Sequence, residues 1–227
     1  MRQISPRARQ TTPYDWAAIS NLYSPADADA LASSFPHNYF KTVSGKDQEK
    51  VYDYEARALV PMGQNTIMYA EDLSEAWQAL ARDLCSPAYR EAMSNLSGYD
   101  LMNAPLEVNL FHYGPGASLG PHVDLMTKLV THAVYFNKSW DAKEGGCLTI
   151  LRSSNPEDVA AEILPIVGNS AVIIRSEKSW HAVSRVVDGC NWSRRSLTAT
   201  FYHRRASSSM WLPGDATPLH RVNAADM

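Results

Sequence analysis

Cysteine is scarce in this chain: Cys85, Cys147 and Cys190 are the only three among 227 residues, and none stands in a CxxC pair. An odd, scattered set argues against a disulfide framework and fits a reducing cytoplasm. Long apolar runs are missing too, and none approaches the roughly 20 residues that span a bilayer. The N-terminal MRQISPRARQTTP has no apolar stretch of the kind a secretory signal carries. An excess of basic charge is also absent: 21 Lys and Arg against 24 Asp and Glu leave a formal charge of −3. That removes the electrostatic footprint of a nucleic-acid binder. There is no internal repeat and no low-complexity segment. These absences predict a cytoplasmic protein with neither nucleic acid nor membrane among its partners.

What is present reads as an ordinary globular chain, 45% apolar and 20% charged. Residues 1–12 hold three arginines and almost nothing apolar, so a flexible arm is expected there. A single domain is expected over 13–227, made of a helical support and substrate-shaping region (13–103), a β core (104–204) and a C-terminal tail (205–227). Ser24-Pro25-Ala26-Asp27 is a helix start, with a capping serine, a first-turn proline and an acidic residue for the dipole. Residues 72–83 place Leu73, Trp77, Leu80 and, just beyond, Leu84 at helical spacing, and Ser86-Pro87 begins another helix reaching about Ser94.

After residue 104 the pattern changes to short strands at 106–113, 129–137, 147–151, 161–167, 170–176, 181–187 and 196–203. Gly, Asn, Pro, Asp and Ser punctuate them. Helices followed by about eight short strands predict an α+β chain whose strands close into a sandwich or barrel of jelly-roll type. A doubly wound sheet is excluded, because no helix-length spacers separate the later strands.

GPHVDLM sets His122 and Asp124 two residues apart, and His181 follows in KSWHAVS. In extended backbone the period of two sends both side chains to one face. With His181 from a distant strand they form a two-histidine, one-carboxylate triad that leaves adjacent positions open, the geometry of iron(II) oxygenases. Zinc favours a closed tetrahedron or one open position, which fits less well. An HxD pair alone is common, and a strand histidine is often just a packed core residue; the ensemble carries the reading. His112 and His132 fall on the opposite strand face from Tyr113 and Tyr135, while His37, His203 and His220 sit at strand ends or in loops. All five read as structural or surface residues.

In SRRSLTATFYH, an arginine facing into a barrel would be costly unless paired, because it cannot shed its charge. Beside a metal, a planar fork suits one carboxylate of a dicarboxylic acid. If Arg194 points inward, Ser196 and Thr198 share its face and Arg195 points out. Tyr135 could donate to the same carboxylate, or simply pack the core.

At these residues the sequence resembles the iron(II)/2-oxoglutarate-dependent dioxygenase superfamily, in its prolyl-hydroxylase-like branch. The resemblance runs from about Val108 to His203 and rests on four segments. These are YGPG…PHVD at 113–124, VYFNKSWDAKEGGCLTIL at 134–151, HAVSRV at 181–186 and RRSLTATFY at 194–202. It implies a double-stranded β-helix of eight strands, iron(II) on His122, Asp124 and His181, and 2-oxoglutarate and O2 as co-substrates. It further implies that Arg194, assisted by Tyr135, holds the distal carboxylate of 2-oxoglutarate, with Tyr113 and Thr198 lining that pocket. A longer turn containing GCNW lies between His181 and the arginines than in the oxygen-sensing members, which leaves Arg194 and Arg195 both open. Thr200 stands where those members carry a bulky aromatic. Asp124, where related halogenases need a small residue, implies hydroxylation or, less often, desaturation or ring closure. The expected function is hydroxylation of a C–H bond of a small molecule, an amino acid or a secondary-metabolite intermediate, with release of succinate and CO2. Prolyl hydroxylation of a peptide or protein is the alternative, and an inactive β-sandwich binding module is the alternative of another class.

Overall fold

The computed structural model describes residues 4–47 and 50–212. Its three helices are α1 (Pro25–Ser33), α2 (Glu75–Cys85) and α3 (Pro87–Ser97). Each begins behind a serine whose hydroxyl accepts a backbone N–H: Ser24 from Asp27, Ser74 from Trp77 and Ser86 from Tyr89. Those bonds satisfy donors that the first helical turn leaves unpaired. The helix starts expected at Ser24 and Ser86 stand where the sequence places them.

Among the described residues there are also twelve strands. The first four are β1 (Arg9–Gln10), β2 (Trp16–Ile19), β3 (Lys41–Asp47) and β4 (Lys50–Val60). The next four are β5 (Leu106–Tyr113), β6 (Leu119–His122), β7 (Lys128–Tyr135) and β8 (Leu148–Leu151). The last are β9 (Val159–Ile163), β10 (Ser170–Ile174), β11 (His181–Val183) and β12 (Arg194–Tyr202). Their order is β1-β2-β10-β7-β12-β5-β4-β6-β11-β8-β9, with β3 beside β4 and every pairing antiparallel. Two layers result. A large one runs from β1 to β4 and a small one comprises β6, β11, β8 and β9; among the ladders of the described residues, the pair Tyr52 and Leu119 joins them. β5 to β12 are the eight strands of a double-stranded β-helix.

The pleat sorts the side chains of the large layer. Val108, Leu110, Val130, Val134, Leu197, Ala199 and Phe201 face the helices and are buried with Trp77, Leu80, Leu84, Tyr89, Met93 and Leu96. Burying each large side chain contributes roughly 1.5–3 kcal/mol, so this interface anchors the strands that carry the site. His132 belongs to it, with Nδ1 2.9 Å from the Tyr89 hydroxyl, and His112 packs against Phe35 and Phe40. Both are structural, as their strand face predicts.

Three expectations need correction. The arm expected at 1–12 is docked from residue 4 onward. Ile4 is buried in the main core, Arg9 bridges Asp15 and donates to the Ser97 carbonyl, and β1 pairs with β2. The support region 13–103 is not only helical, because β2, β3 and β4 widen the large layer. The tail folds back as far as Leu212: Trp211 is buried and donates from Nε1 to Asn109 Oδ1 at 2.8 Å. The remainder of the tail lies outside the described residues.

Candidate metal and co-substrate site

His122 ends β6 and is paired in register with His181, which opens β11. Asp124 stands two residues past the end of β6. One donor atom from each of the three lies within 4.8 Å of the others, and the two imidazole centroids are 4.2 Å apart. Each ring is oriented from behind. His122 Nδ1 lies 2.9 Å from the Gly120 carbonyl and His181 Nδ1 lies 2.9 Å from the Ser179 carbonyl. A carbonyl only accepts, so Nδ1 carries the proton in both, and Nε2 is left as the ligand atom.

Asp124 is held as firmly. Lys128 Nζ donates to Oδ1 at 2.7 Å and Thr131 Oγ1 donates to Oδ2 at 2.8 Å. Burial opposes ionisation of this carboxyl, but the Lys128 ammonium at 2.7 Å outweighs it and holds it below the usual carboxylate range. Burial likewise opposes the Lys128 charge, and Asp124 overcomes it, raising the ammonium above its ordinary value. Two neutral imidazole nitrogens and one ionised carboxylate, with an open cavity beside them, are a donor set that fits iron(II).

Arg194 opens β12 facing into the barrel and is 3% exposed. Its Nε donates to the Gly146 carbonyl at 2.7 Å and one terminal nitrogen to Ser196 Oγ at 2.8 Å. The guanidinium carbon lies 4.9 Å from the Tyr113 ring centre and 5.2 Å from that of Tyr135. Among the described residues no carboxylate reaches it. The Tyr135 hydroxyl is buried close by without a hydrogen bond of good geometry, and burial pushes its pKa up to about 12. A buried cation without a counter-ion, beside a phenol without an acceptor, fits one end of a dicarboxylate. Arg195 faces the helices, 5.6 Å from the Phe35 ring centre, so β12 enters with Arg194 inward.

One cavity of about 620 Å³ connects these groups. His122, Asp124, His181, Arg194, Tyr113 and Thr198 line it, while Tyr135 lies behind Arg194. Every candidate named from the sequence is therefore at or beside one chamber.

Residues 108–203 match the model of the 2OG-Fe(II) oxygenase superfamily. That stretch, which carries the triad and Arg194, is a 2OG-Fe(II) oxygenase domain. As a 2-oxoglutarate-dependent oxygenase it uses Fe(II), 2-oxoglutarate and O2. Solved structures agree on the fold. A prolyl-4-hydroxylase from Pseudomonas putida is 19% identical with a TM-score of 0.56, covering 83% of this chain and 92% of its own. A prolyl hydroxylase from Trichoplax adhaerens, in complex with a hypoxia inducible factor oxygen degradation domain peptide fragment, is 15% identical with a TM-score of 0.58, covering 82% and 83%. The non-haem α-ketoglutarate-dependent epimerase SnoN from nogalamycin biosynthesis is 12% identical with a TM-score of 0.52, covering 82% and 76%. Among curated proteins nothing matches the sequence.

Sequence reasoning missed the polar residues around the triad: Lys128, Thr131, Glu107 and Asn109, all of which line or border the cavity. A signal was available in LEVNLF, where Glu107 and Asn109 alternate with apolar residues that face the helices.

Proposed function

We propose that this oxygenase hydroxylates a C–H bond of a free small molecule, with iron bound by His122, Asp124 and His181 and 2-oxoglutarate held by Arg194. The carrying observation is the single chamber that joins the triad to a buried, uncompensated guanidinium. Its volume lies within the range of small-ligand pockets, roughly 300–1,000 Å³. Iron(II) and 2-oxoglutarate supply the activation of O2 that oxidises the substrate and releases succinate and CO2. The chain's part is positional. Nδ1–H bonds to Gly120 and Ser179 fix both ligand rings, Thr131 and Lys128 fix the carboxylate, and Gly146 and Ser196 aim the arginine fork. Tyr135 would donate to the same distal carboxylate, and Tyr113 and Thr198 would flank it.

The solved relatives favour no single substrate: one holds a peptide and another is named for nogalamycin biosynthesis. Prolyl hydroxylation of a peptide is the second reading, motivated by the prolyl hydroxylases among them. The test is incubation with iron(II), ascorbate, 2-oxoglutarate and candidate substrates. Succinate is measured together with a mass gain of one oxygen on the substrate. Succinate with an oxygenated small molecule supports the proposal. Oxygenation of prolyl peptides only would transfer it to the second reading, and absence of succinate under every condition would favour a binding module.

A further inference from the structure

The cavity is built in layers along β12, whose inward residues are Arg194, Ser196, Thr198, Thr200 and, past a register shift, Tyr202. Register fixes their neighbours. Arg194 faces Tyr113, Thr198 lies between Asn109 and Ala133, Thr200 between Glu107 and Thr131, and Tyr202 beside Lys128. At about 3.3 Å per residue, Thr200 is roughly 20 Å along the strand from Arg194. The co-substrate end is thus separated from a second end whose wall on β5, β7 and β12 is polar. Thr131, Thr200, Asn109 and Glu107 are all buried there, in positions that small barrels usually fill with apolar side chains.

Lys128 is the charged group of this end with unspent capacity. Its ammonium has three donors. One goes to Asp124 Oδ1, and no other acceptor among the described residues takes the remaining two. Glu107 is differently placed: it is 1% exposed and already accepts from Tyr202, Asn109 and Ser208. It therefore sets the charge of the wall without reaching into the space. With a divalent metal and dianionic 2-oxoglutarate in place, the charges of Arg194, Lys128, Asp124, Glu107 and the two ligands cancel. A further ligand with no net charge, carrying a carboxylate for Lys128, is then the best electrostatic match.

We propose that this second end is the substrate pocket, that Lys128 is its specificity-determining residue, and that it takes the carboxylate of a zwitterionic, amino-acid-like substrate. The inference rests on the oxygenase reading above. A prolyl ring inside a peptide would bring only methylenes and neutral amides to this wall. The peptide's carbonyls could accept from Lys128 and the threonine hydroxyls, but they bring no negative charge to the ammonium, so Lys128 favours a carboxylate over them.

The experiment uses the full-length protein with iron(II) and 2-oxoglutarate under anaerobic conditions, read by the visible charge-transfer absorption of the complex. The twenty L-amino acids, their carboxamides and an end-capped prolyl peptide are added separately. We expect at least one amino acid to perturb the spectrum saturably and to stimulate succinate release once air is admitted. Its carboxamide should bind about tenfold or more weakly. Lys128→Gln should abolish that preference; because Lys128 also holds the metal ligand Asp124, the amino acid and its carboxamide are compared within the one variant, so that any loss at the metal affects both alike. Thr200→Val, at a residue that makes no hydrogen bond to Asp124, should weaken amino-acid binding several-fold. Binding by none of the amino acids, binding by the capped peptide alone, or a carboxylate preference that survives in Lys128→Gln would overturn the inference and leave the oxygenase reading standing. Absence of any spectrum with iron(II) and 2-oxoglutarate would instead sink the oxygenase reading, and this inference with it.

Discussion

Replacing Arg194 by alanine tests the co-substrate site most directly. The guanidinium is almost fully buried, spends two of its five donors on Gly146 and Ser196, and has no carboxylate in reach among the described residues. Truncating one partner of a desolvated, hydrogen-bonded charge pair costs roughly 2–5 kcal/mol, mostly by leaving the other charge unpaired. At 1.4 kcal/mol per decade, the apparent Kd for 2-oxoglutarate should rise by about 30-fold or more. Arg195→Ala removes a cation packed on Phe35 at the opposite strand face, so its effect should stay within about threefold. Tyr135→Phe deletes one hydroxyl donor and should fall between the two. The assay is an anaerobic 2-oxoglutarate titration of the iron(II) protein, with succinate formation as a second readout. If Arg195→Ala were the crippled variant and Arg194→Ala bound normally, the inward register of β12 would be wrong as a guide to the co-substrate site.

Other outcomes follow from the same geometry. His122→Ala, Asp124→Ala and His181→Ala should each abolish 2-oxoglutarate turnover while keeping the far-ultraviolet circular dichroism of the parent. Asp124→Ala should also lower the urea midpoint most, because it strands the Lys128 ammonium. His132 is fully buried, and burial lowers its pKa to about 4, against about 6.5 when unfolded. The unfolded chain therefore binds the extra proton first. The stability that neutral His132 contributes is complete above pH 6.5 and is lost as pH falls toward 4, by up to about 3 kcal/mol. His132→Gln should lose less stability between pH 7 and pH 5 than the parent in urea titrations. Gly145 has φ +68, and a Cβ there would lie 1.9 Å from the Arg185 carbonyl oxygen. Gly145→Ala should destabilise by about 1–3 kcal/mol and weaken 2-oxoglutarate binding, since the adjoining Gly146 carbonyl holds Arg194; unchanged binding would show that this carbonyl is not a positioning group.

The legible parts of this protein are those written in local periodicity. LEVNLFHY is β5 residue for residue, because its apolar positions alternate and turn-forming residues bound it. HxD and the distant histidine were readable because metal binding restricts the donor types so severely. β4 was not read, although it pairs locally with β3, because Ala56, Arg57, Ala58 and Leu59 are all buried and show no alternation of apolar with polar residues. Lys128 was hidden for a related reason. At the start of its strand it looks like a surface charge, and only the return of the chain at Asp124 shows that its ammonium is internal. The choice between Arg194 and Arg195 turned on one residue of register, which the intervening turn obscured and the ladder between β12 and β5 fixes.

The bond between Lys128 and Asp124 makes the chamber a measuring device. The ammonium inferred to receive the substrate's carboxylate is tied at 2.7 Å to one of the three metal ligands, so it cannot shift without moving the oxidising centre with it. A substrate anchored there is counted off from its carboxylate end, and the carbon that meets the metal is the one whose distance along the chain matches that fixed span. Homologues longer or shorter by one methylene should then be oxidised at the same distance from the carboxylate, with only the far end of the molecule adjusting.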